Sequence, residues 1–101
     1  MKTIKTSIGL LKVTDEEVSY DDAERNIPKG FRMVDSVDVA KFFEKKEHVE
    51  FAFWFWLKSP EWNEEDWRPV ARGYNDGLFY LLARHPRASR GVYVKKREGK
   101  E

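Results

Sequence analysis

Cysteine is absent from this chain of 101 residues. That excludes disulfide staples, cysteine-ligated zinc, iron–sulfur clusters and thiol nucleophiles. Glutamine is absent too, and asparagine occurs only at Asn26, Asn63 and Asn75. Few thermolabile residues beside 37% charged residues is the composition expected of a thermophilic source. Long apolar runs are missing. The longest, Phe51 to Leu57, falls far short of the roughly 20 residues of a membrane helix. The opening residues, MKTIKTSIGLLKVTDEE, have neither the long apolar stretch nor the small-residue cleavage site of a signal peptide. The expectation is a cytoplasmic protein with no membrane partner.

Catalytic motifs are also missing. His48 and His85 show no metal-ligand spacing. No G-x-S-x-G surrounds Ser36, Ser59 or Ser89, and there is no phosphate-binding glycine loop. The sequence therefore nominates no catalytic residue, no metal ligand and no cofactor. Its acids, Asp15, Glu16, Glu17, Asp21, Asp22, Glu64, Glu65 and Asp66, fall in runs, which usually form solvated faces. A metal-dependent nuclease, needing converging acids, ranks third among the functions considered.

What is present suits one α+β domain over residues 1–101. Hydrophobic residues make up 41% of the chain, enough for a core at this length. Ile4, Thr6, Ile8 and Leu10 alternate and predict a strand within 2–13. NIPKG (26–30) has turn chemistry, and FRMV (31–34) suits a short strand. DSVDVAKFFEKKEH predicts the main helix over about 35–47, capped by Asp35 or Ser36, with Val39, Ala40 and Phe43 on one face. EFAFWFWLK (50–58) reads as a central strand. Phe51, Phe53, Phe55 and Leu57 point one way, and Trp54 and Trp56 the other. SPEWNEEDW predicts a short second helix at about 60–66. RPVARGY and LFYLLARH read as strands around the tight turn NDG (75–77), the second of them buried. VYVKKR is a final strand, and residues 98–101 a frayed tail. Runs of strands without helical crossovers give an antiparallel sheet of four to six strands.

Charge is unevenly spread although the net is +1. Residues 15–24 hold six acids and no base, and residues 84–97 hold six bases and no acid. The first functional expectation is a non-enzymatic protein that binds DNA or RNA, and forms a dimer. Arg84, Arg87, Arg90, Lys95, Lys96 and Arg97 would meet phosphates, while Tyr93 or Tyr80 stacks on bases. The alternative is a homodimeric or hetero-protein interaction module using Trp54 and Trp56. Those tryptophans have three possible fates: a core under the main helix, a dimer seam, or a stacking surface.

Overall fold

The structure, a computed structural model, describes residues 1–58, 67–83 and 89–96. It is α+β, with two antiparallel sheets. Strands β1 (Lys2–Thr6), β2 (Gly9–Val13), β3 (Phe31–Met33) and β7 (Val92–Lys95) form the first, in the order β1-β2-β7-β3. Strands β4 (Phe55–Trp56), β5 (Arg68–Tyr74) and β6 (Gly77–Ala83) form the second, in the order β4-β5-β6. Helix α1 spans Tyr20–Arg25 and helix α2 spans Ser36–Glu44.

The first strand of the sequence reading is in fact a hairpin. Thr6 pairs with Gly9 across a turn at Ser7 and Ile8. Gly9 has φ +122°, a conformation open to glycine and strained for other residues. The Ser7 N–H and hydroxyl donate to the two carboxylate oxygens of Glu47 at 2.8 and 2.7 Å, tying the turn to the far end of α2. Leu11 and Val13, rather than Leu10, are the fully buried positions.

The acidic stretch contains α1. Ser19 caps it, its Oγ accepting from Asp22 N–H at 3.0 Å. Helix α2 begins at a capping box. Asp38 N–H donates to Asp35 Oδ1, and Asp35 N–H donates back to Asp38 Oδ2, satisfying two otherwise orphaned donors. Its buried face is Asp38, Val39 and Phe42. Ala40 and Phe43 lie outside that face, so the expected register was displaced by one position. The expected helix at 60–66 and the tail at 98–101 lie outside the described residues.

EFAFWFWLK is not a long strand. A 3-10 turn (His48–Phe51) leads into irregular chain and then the two-residue β4. The predicted division of side chains nevertheless holds. Phe51, Phe53, Phe55 and Leu57 join one core with Val39, Phe42, Val92 and Val94. Trp54 and Trp56 join another with Tyr20, Ala23, Met33, Val70 and Tyr93. One segment thus supplies two cores. Helix α2 covers the phenylalanine side, and the α1 region covers the tryptophans, opposite to the expected pairing of α2 with Trp54 and Trp56.

Two buried polar tips lock the second core. Trp56 Nε1 donates to the Val18 carbonyl at 2.9 Å, and its ring meets Tyr20 edge-on at 5.7 Å. Tyr93 OH donates to the Ala23 carbonyl at 2.6 Å, and burial pushes its phenol up to about 12. Gly91 leaves room for that hydroxyl, because a Cβ there would lie 2.6 Å from it.

Tyr93→Phe strands the Ala23 carbonyl and is expected to cost about 1–2 kcal/mol in urea unfolding. Gly91→Ala is expected to cost about 2 kcal/mol by overpacking. The double variant should fall short of the summed cost by roughly 1 kcal/mol, since removing the hydroxyl relieves the clash. Additive costs would contradict the packing described.

Candidate functional site

The second sheet loses cover from one edge to the other. Strand β4 is buried on both faces. Its backbone is bonded on one side by β5, with Leu57 N–H donating to the Pro69 carbonyl at 3.1 Å. On the other side Arg90 N–H donates to the Trp54 carbonyl at 2.9 Å, and Trp56 N–H donates to the Arg90 carbonyl at 3.0 Å. In β5, Val70 and Ala71 are buried. In β6, Phe79, Tyr80, Leu81 and Leu82 are 52, 50, 56 and 45% exposed. The sequence reading placed this strand in the interior; among the described residues it is an edge strand, packed on the core at Leu78 and exposed on both faces from Phe79 to Leu82. Its lack of a polar face made it look like core.

The pairing of β5 with β6 fixes what that edge offers. Tyr74 pairs with Gly77 across the two-residue loop Asn75–Asp76, and the register runs unbroken to Arg68 with Ala83. In such a hairpin the pair flanking the loop exchanges both hydrogen bonds, and every second pair repeats this. Residues 77, 79, 81 and 83 therefore face β5 with their backbone groups. Leu78, Tyr80 and Leu82 turn theirs to the open edge, which no strand pairs among the described residues. One edge strand of the first sheet, β1, carries Lys2 and Lys5, a common protection against edge pairing. Strand β6 has no charge, no proline and no bulge.

Of the six basic residues of the expectation, the structure describes Arg90, Lys95 and Lys96. Arg84, Arg87 and Arg97 lie outside the described residues. Arg90 stands before the start of β7, its guanidinium 5.2 Å from the Phe53 ring centre. Lys95 and Lys96 are exposed at the other end of that strand, roughly 16 Å away along extended chain. Tyr93 is wholly buried and presents no ring for stacking, because β7 is a central strand with a core on each face. Trp56, 2% exposed, is likewise interior rather than an interface residue, and Trp54 is half-buried against the same core. Tyr80 is the aromatic of the reading that reaches the surface.

A polar groove of about 570 Å³ lies between α2 and the end of the first sheet. Lys41, Lys45, Lys95 and Arg32 line it together with Asp35, Asp38 and Glu44. Arg32 grips Asp38 with two nitrogens, at 2.7 and 3.0 Å. Burial pushes the Asp38 carboxyl up, but the Arg32 hydrogen bonds, the Asp35 N–H and the Arg32 charge outweigh it and hold it below its ordinary value. Elsewhere, Lys58 holds Glu24 at 2.6 Å and lowers its carboxyl, and Arg25 pairs with Asp22. Among the described residues no group of three or more histidines or acids is placed to hold a metal ion, and no helix is long and apolar enough to cross a membrane.

No protein family, curated protein or solved structure matches the chain.

Asp38→Asn is expected to cost about 2 kcal/mol at neutral pH, the usual scale for a charged hydrogen bond. A carboxyl depressed by folding stabilises above its unfolded value and ceases to as pH falls through the folded one. The gap between variant and wild type in urea unfolding should therefore close as the pH is lowered from about 5 toward 2. A gap that persists in acid would contradict the ion pair.

Proposed function

We propose that this protein is an interaction module that takes up an extended protein strand at the open edge of β6. The carrying observation is the run Phe79 to Leu82, four consecutive large apolar side chains about half exposed on an edge whose backbone groups at Leu78, Tyr80 and Leu82 face outward. An added strand gains main-chain hydrogen bonds from the edge and side-chain contacts on both faces. Tyr74 extends one face, its ring 4.6 Å from that of Phe79. This keeps the protein-interaction alternative of the sequence reading and moves its surface from Trp54 and Trp56 to β6.

A photo-crosslinking residue at Leu81 tests the proposal, with one at exposed Val37 on α2 as control. Irradiation in cell extract should give adducts from position 81 that disappear when Tyr80→Pro removes the central outward N–H. Adducts that persist in that variant, or none at all, would remove the reading.

The groove favours a second reading, contact with a nucleic-acid backbone, because Lys95 lines it with Lys41 and Lys45. Binding to DNA or RNA should then weaken steeply with salt and be lost on Lys95→Glu with Lys96→Glu. Undetectable binding at low salt would end this reading.

A further inference from the structure

Resting on the edge-strand reading, we infer that the occupant of the β6 edge is a second copy of this chain. The two β6 strands pair antiparallel about a two-fold axis at Tyr80. The geometry has a built-in self-complement. Seven residues, Gly77–Ala83, have Tyr80 at their centre. In a pairing centred there, Tyr80 meets the partner's Tyr80 and Leu78 meets the partner's Leu82. These are the three residues whose backbone groups face outward, so every outward N–H and C=O at Leu78, Tyr80 and Leu82 finds a partner. On the opposite face Phe79 lies across from the partner's Leu81. All cross-strand pairs of large residues are apolar, and none sets like charges opposite one another, an arrangement that destabilises strand pairs.

Charge and area both favour this occupant. The strand carries no charged residue, so it offers nothing to select an oppositely charged partner and nothing to repel its own copy. Four side chains half exposed supply roughly 400 Å² on the scale of buried aromatic area. Tyr74, packed on Phe79, and the backbone edge bring this toward about 600 Å² per chain, the lower end of the range for specific interfaces. An isologous contact of this kind closes on itself as a dimer, joining two three-stranded sheets into one of six strands. The size of the contact suits a dimer that forms and dissociates with concentration.

Sedimentation velocity on the purified chain over a wide dilution series reads the equilibrium. Wild type should pass from monomer to dimer. Tyr80→Pro should weaken association roughly 25-fold, the loss of two hydrogen bonds at about fivefold each. A charge-swap pair separates pairing from misfolding. The double variants Phe79→Lys with Leu81→Lys, and Phe79→Glu with Leu81→Glu, should each be monomeric with wild-type circular dichroism. An equimolar mixture of the two should dimerise. A mixture that stays monomeric, or a Tyr80→Pro chain that dimerises like wild type, would overturn the inference. Wild type that stays monomeric throughout, while position 81 still crosslinks in extract through the Tyr80 edge, would overturn self-pairing and leave the edge-strand reading standing. Monomer without crosslinks would overturn both.

Discussion

The two backbone hydrogen bonds that Arg90 exchanges with Trp54 and Trp56 hold the rest of the molecule in order. They fix the segment Phe51–Leu57 beside the chain that continues into β7, and so join the two sheets. With that segment in place its side chains have no freedom of direction. Phenylalanines and Leu57 go to the core under α2, and tryptophans go to the core under α1. Burying large side chains on both faces, at about 1.5–3 kcal/mol each, makes this short segment the centre of the fold. The same bonds seal one edge of the second sheet. Among the described residues its remaining edge, β6, has no strand beside it and exposes apolar side chains.

The proposed function rests on that asymmetry. Cover decreases from β4 through β5 to β6 because the two cores lie against the inner strands. A seven-residue strand without charge, proline or bulge lacks the protections against edge pairing, whereas β1 carries lysines that discourage it. The polar features have structural work. Asp38 closes the capping box with Asp35 at the start of α2 and anchors Arg32, while Tyr93 and Trp56 tie the strands to α1 and its approach. Of the bases clustered in sequence, the described ones, Arg90 and the pair Lys95 and Lys96, sit at opposite ends of β7.

Much of the fold was legible because its signals are local. Asp35 followed by Asp38 marks the helix start, Asn75-Asp76-Gly77 marks the hairpin, and the alternation from Phe51 to Leu57 sorts side chains between two cores. The hairpin at Ser7 and Ile8 was missed because Ile8 sustains the apolar alternation and Gly9 alone hints at a turn. Helix α1 was hidden among acids, although Ser19 with Asp22 spells its cap. The exposure of β6 was not legible at all. An apolar strand reads the same whether its own chain covers it or leaves it exposed. The site residues suffered from the same limit: Tyr93, flanked by bases in sequence, faces inward because both faces of β7 are packed.

Amide hydrogen exchange along β6 tests edge pairing most directly. In dilute solution the amides of Phe79 and Leu81, bonded to β5, should exchange slowly, and those of Leu78, Tyr80 and Leu82 quickly. At high concentration the second set should become protected as well, erasing the alternation. Fast exchange at Leu78, Tyr80 and Leu82 at every concentration, or slow exchange that dilution leaves unchanged, would contradict pairing with a second chain.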